Sequence, residues 1–217
     1  MTLGELIDLF RSVTHDVSTP PMWSDDEITE YANDAEREAC RRARLLVDST
    51  SYSIDLSINE PMYTIDPKII FIRRVKLASQ TKPLPKIVLK DLDENMPGWE
   101  GMTGNVLLYC TDIETGKIRF IKTPIVADTV SMTVIRLPNK DMVASGDTPE
   151  IKAHYHRSLI NWMCFRGYSK QNADTVDKTK ADIFEARFTA DFGLLSSAMD
   201  ESWIENNHGI DGFEGLA

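Results

Sequence analysis

The chain has 217 residues, 42% of them hydrophobic and 27% charged, and a net charge of −10. That length supports one large domain or two small ones with a real core, so folding needs neither disulfides nor metals. The acid excess excludes a general duplex-DNA binder, which must neutralise phosphates with Lys and Arg, but not a protein that surrounds DNA without gripping it.

Thr2-Leu3-Gly4-Glu5 fits a capping box, and Leu3, Leu6, Ile7, Phe10 and Val13 then fall on one face, predicting a first helix over residues 2–16. Ser18-Thr19-Pro20-Pro21 stops it. Ser24-Asp25-Asp26-Glu27 is a second capping box, opening a helix from Asp25 to about Val47 with Ile28, Tyr31, Ala32, Ala35, Ala39, Ala43 and Leu46 inward. Its charges are graded: acids dominate up to Glu38, and Arg41, Arg42 and Arg44 close it, as the helix dipole favours. The arginine cluster is either a solvated helix end or a contact with an acidic partner, such as a second copy of this acidic chain.

From Ser51 the period changes to two. Tyr52, Ile54, Leu56 and Ile58 alternate with polar residues, Asn59-Glu60-Pro61 turns the chain, and Met62 to Ile65 returns it. A longer strand is expected from Ile69 to Ala78, and at most an edge strand at Ile87 to Leu89 because Pro83 and Pro85 flank it. Asp91 to Glu94 reads as one helical turn, and Pro97 to Gly101 as a loop. Val106 to Cys110 and Lys117 to Lys122 make a hairpin around Gly116, and Ser131 to Leu137 is a last strand.

Thr148-Pro149-Glu150 is a helix start signal with proline at the first position. Ile151, Tyr155, Leu159, Trp162, Met163 and Arg166 follow on one side, widened by Ile160 and Phe165. Residues 169–173 break the pattern. Asp174 is then expected to cap a final helix, with Asp177 three residues on, Val176, Ile183, Phe184, Phe188 and Phe192 inward, and Gly193 at its end. The order helix–helix, about six strands, helix–helix argues α+β. The simplest packing is a four-helix bundle of the N- and C-terminal hairpins (1–48 and 148–198) carrying an inserted antiparallel β domain (49–147). Residues 199–217 form a C-terminal arm: five acids, no Lys or Arg, and the apolar residues Trp203, Ile204, Ile210, Phe213 and Leu216 standing apart. Those five are expected to anchor in a partner's pockets, the alternative being that the arm folds back on its own domain.

No chemistry emerges from the pattern. His154 and His156 are two apart on an expected helix and point in different directions, so no shared metal is expected. Cys40, Cys110 and Cys164 form no CxxC pair and read as reduced, buried thiols. No P-loop, dinucleotide turn, GxSxG or HExxH occurs, so neither an enzyme nor a cofactor is expected. No basic leader opens the chain, and the longest apolar run, about Ile69 to Ile72, is far too short to cross a membrane.

Two stretches carry a resemblance. Trp23-Ser24-Asp25-Asp26-Glu27-Ile28, followed by Tyr31-Ala32-Asn33-Asp34-Ala35, is similar to an opening "W-[ST]-D-x-E … N-x-A" helix. The second runs from Pro149-Glu150-Ile151-Lys152-Ala153-His154-Tyr155-His156 through Leu159-Ile160-Asn161-Trp162-Met163-Cys164-Phe165-Arg166. It continues through Ala173-Asp174 and Ala181-Asp182-Ile183-Phe184-Glu185-Ala186-Arg187-Phe188 to Asp191-Phe192-Gly193. In these, about half its length, the chain resembles the head-to-tail adaptors of tailed bacteriophages, of the connector or tail tubular A type. The resemblance implies a structural virion protein of the neck, made in the host cytoplasm. It implies a ring of about twelve copies, closed by contacts between neighbours, with DNA passing through the lumen. Its partners would be the portal, a tail or nozzle protein and further copies of itself, with no membrane. The arm residues would then reach the portal, and Arg41, Arg42 and Arg44 the neighbouring subunit. The alternative within the same class is a stopper or head-completion protein.

Overall fold

The computed structural model describes residues 1–170 and 176–197, in an α+β fold. The chain divides into two compact units, one formed by Met1–Leu46 with Leu137–Leu195 and the other centred on Val47–Arg136.

The first unit is helical. α1 (Leu3–Thr14) begins at Thr2 and α2 (Asp25–Ala43) at Ser24, and both carry the full reciprocal capping box, with Glu5 and Glu27 bonding back to the cap N–H. α4 (Leu159–Ser169) packs on α1, α2 and α5 (Lys178–Phe192), around one core that includes Leu6, Phe10, Trp23, Ile28, Leu159, Met163 and Phe188. Small residues on α2 (Ala32, Ala35, Ala39) and Gly167 on α4 set the close approach. A Cβ at Gly167 would meet the Phe10 ring at 3.0 Å.

Four expectations for this unit need correction. Thr148-Pro149-Glu150 does not start a helix. The backbone N–H groups of Glu150 and Ile151 donate to Glu36, at 2.5 and 3.2 Å, which holds the segment outside helical geometry. A 3-10 helix follows at Ala153–Ser158, and α4 begins only at Leu159. α2 stops at Ala43 rather than Val47, because Arg44 adopts a left-handed conformation (φ 51°) and returns its N–H to Cys40. On α5, Phe188 and Phe192 are buried, but Ile183, like Val176 before the helix, faces outward. The N-cap is Asp177, which accepts the Lys180 N–H; Asp174 lies outside the described residues.

The second unit holds three small sheets. The largest joins β1 (Leu46–Asp48), β2 (Ser53–Leu56), β4 (Ile69–Leu77) and β9 (Asp128–Arg136), with β9 central and antiparallel to β2 and β4. In a second sheet β7 (Lys117–Ile121) lies between β3 (Met62–Thr64) and β6 (Leu108–Cys110), antiparallel to both. β5 (Thr103–Gly104) and β8 (Thr123–Pro124) form a two-residue parallel pair. The β6–β7 hairpin turns at Gly116, whose φ of +73° suits glycine. The expected return of Met62–Ile65 against residues 52–58 does not occur, since β2 pairs with β9 and β3 with β7. Ile87 to Leu89 is not a strand: Leu89 opens the short helix α3 (Leu89–Asn95), and Lys86 makes a single bridge to Tyr109. Two apolar clusters fill this unit, a larger one about Val75, Phe120 and Val134 and a smaller one about Leu92, Trp99 and Leu108.

Candidate interaction surfaces

The motif residues of the opening helix have structural duties. Trp23 is buried edge-on to Phe10 and Tyr168, and among the described residues its indole N–H has no hydrogen-bond partner. Glu27 pairs with Lys170; that contact holds the Glu27 carboxyl below its ordinary pKa and raises the Lys170 ammonium above its own. Asn33 brackets Met142, donating to its carbonyl at 3.0 Å and accepting its N–H at 2.8 Å. Asp34 accepts both the Trp162 indole N–H (2.8 Å) and the Arg166 guanidinium (2.9 Å).

The three arginines at the end of α2 separate. Arg42 is an interior residue, its side chain only 7% exposed. It binds Glu38 at 2.7 Å, reaches Thr189 and the Gly193 carbonyl on α5, and lies over the Trp162 and Phe188 rings. Arg41 has a half-exposed side chain that also touches Glu38, and Arg44 is half-buried at the helix cap. Of the cluster, Arg41 is the one that presents charge outward.

Besides Glu38, two carboxylates that the apolar pattern did not single out are buried, Asp16 and Glu36. Asp16 receives Arg11, the Ser18 hydroxyl and the Met22 N–H, ordering the loop between α1 and α2. Glu36 is 2% exposed, and burial pushes its carboxyl up to about 7, against the two N–H donors that favour the charged form. Glu36 lies four residues beyond Ala32 and four before Cys40, on the inward face, and that spacing was the available signal. His156 is also buried, between the Met1 amino group and the Ile151 carbonyl.

Burial pushes the thiols of Cys110 and Cys164 up to about 12, which suppresses thiolate formation. Among the described residues no group of three or more His, Cys, Asp or Glu is placed to hold a metal ion, and no helix is long and apolar enough to cross a membrane. What the surface offers is apolar: Val17 (90% exposed) and Met22 beside α1, and Leu194 (79%) and Leu195 beyond α5. In the β unit Ile58, Ile125 and Val126 are exposed around a backbone bond from Asn59 to Pro124. The arm residues Trp203, Ile204, Ile210, Phe213 and Leu216 lie outside the described residues.

A family model described as SU10 adaptor protein matches residues 1–208. The chain belongs to that family. SU10 adaptors are bacteriophage head-to-tail adaptors, structural virion components that work through contacts with other head and tail proteins. No curated protein matches the chain. For an SU10 adaptor, the interior roles of Trp23, Asn33, Asp34 and Trp162 make the opening and closing motifs determinants of packing, not of chemistry.

Proposed function

We propose that this adaptor forms a ring of about twelve copies at the virion neck, joining the portal to the tail and surrounding the channel through which DNA leaves. The observation that carries the reading is the extent of the family match, residues 1–208, which takes in both units. The net charge of −10 supports a lumen that repels phosphate and lets DNA slide. Trp203, Ile204, Ile210, Phe213 and Leu216 anchor the C-terminal arm in the portal, each a large apolar side chain in an acidic stretch. Arg41 meets an acidic surface of the neighbouring subunit, Arg42 and Arg44 supporting it from within their own chain.

The test mixes the purified chain with its cognate portal ring and follows the products by mass photometry and negative-stain electron microscopy. The expected result is a closed adaptor ring on the portal. A portal left bare at excess adaptor contradicts the reading, and binding only to a portal that already carries another ring makes this chain a stopper.

A further inference from the structure

The β4 strand has one fully paired edge and one that is sparsely paired among the described residues. Along the first it pairs with β9, with register breaks between Ile69 and Phe71 and between Ile72 and Arg74. Along the second, the one bridge among the described residues joins Val75 to Leu84. Two adjoining clefts of about 430 and 380 Å3 follow this second edge, sharing Phe71, Ile72 and Lys86 in their walls. The larger is lined by Ile65, Ile69 and Ile70, and by Lys117, which is ion-paired to Glu114 at 2.6 Å. The smaller carries Arg73 and Arg74, both exposed and neither ion-paired among the described residues. Asp66 is the one carboxylate of the two clefts, and it accepts the Lys68 N–H.

An apolar, basic cleft beside an open strand edge fits an extended, acidic segment with spaced large apolar side chains: backbone groups add a strand and the pockets take alternate residues. This chain contains such a segment. Residues 199–217 carry Asp200, Glu201, Glu205, Asp211 and Glu214 without a single Lys or Arg, together with Trp203, Ile204, Ile210, Phe213 and Leu216. About 20 residues beyond Ser197 reach up to roughly 70 Å when extended, and the covalent tether holds them at an effective concentration of order millimolar. We propose that in the free protein residues 199–217 dock along the β4 edge of their own chain, covering it against edge-to-edge association. This docking belongs to the unassembled chain and does not depend on the portal reading.

The test is amide hydrogen exchange on the full chain. In the wild type, amides of residues 203–213 should exchange at least about 10-fold more slowly than in a synthetic peptide of residues 199–217. Arg73→Glu with Arg74→Glu should return them to near the peptide rate while α1, α2 and α4 keep their protection. Should that variant fail to fold, Trp203→Ala with Phe213→Ala gives the reciprocal readout, a loss of protection at residues 70–74. Arm amides that exchange at the peptide rate in the wild type overturn the proposal. So does protection that disappears when the protein is diluted 10-fold, because the occupant would then be a neighbour's arm.

Discussion

The helical unit and the β unit of this adaptor are held in different ways. The helical unit has one core and a set of long-range polar ties, from Asn33 to Met142, Glu36 to Glu150 and Ile151, and Arg42 to Thr189 and Gly193. The β unit divides its apolar residues between two smaller clusters, uses strands as short as two residues, and leaves an edge of β4 beside two clefts. A strand edge with spare pairing capacity is a natural place to receive another segment. Under the docking proposed for β4, the first unit serves as scaffold and the second as adaptable contact.

The largest expected effect comes from emptying the helical core. Trp23→Ala should cost about 3–5 kcal/mol, seen in urea unfolding together with lost amide protection in α1, α2 and α4. Arg42→Met should cost about 3 kcal/mol, since it leaves the largely buried Glu38 only its longer contact with Arg41 and removes the donor to Thr189 and Gly193. Arg41→Met should cost under about 1 kcal/mol, and equal losses at the two sites would contradict the separate placements described for them.

Glu36→Gln sharpens the comparison through pH. The folded carboxyl, raised to about 7 from its ordinary 4.5, holds its proton more tightly than the unfolded one. The wild type therefore has this stabilisation in full below about pH 4.5 and loses it as pH rises through about 7. The glutamine keeps an acceptor for the Glu150 and Ile151 N–H groups and has no such slope. The variant should match the wild type near pH 4 and exceed it by about 1–3 kcal/mol at pH 8, read from urea midpoints. A constant difference across that range would show that Glu36 does not titrate in the fold. A small effect is also expected in the β unit. Gly116→Ala meets no neighbour within 4 Å but must hold φ near +73°, so a loss of about 1 kcal/mol is expected.

The same contrast explains what could be read from the residues. Both capping boxes, the faces of α1 and α2 and the β6–β7 hairpin depend on neighbours within a few residues, and each formed where its local signal stood. Partners distant in sequence were not legible. Tyr52 to Ile58 has clear alternation, but nothing in it says that the strand pairs with β9 rather than β3. The helix signal at Thr148 was sound locally and lost to Glu36, more than a hundred residues away. Arg42 looked like its neighbours until α5 supplied Thr189, Gly193 and a ring to lie on. Of the interaction surface, the arm's acidic and apolar character was legible from composition, whereas the β4 clefts needed the three-dimensional arrangement.

On the proposed function, this adaptor is a repeated link between the head and tail of a virion. An electron cryo-microscopy reconstruction of the purified virion's neck tests it most directly. The account predicts density for both units of this chain in a closed ring directly beneath the portal, around a channel wide enough for duplex DNA. Density for the chain confined to the capsid shell or the distal tail, with another protein filling the position under the portal, would contradict it.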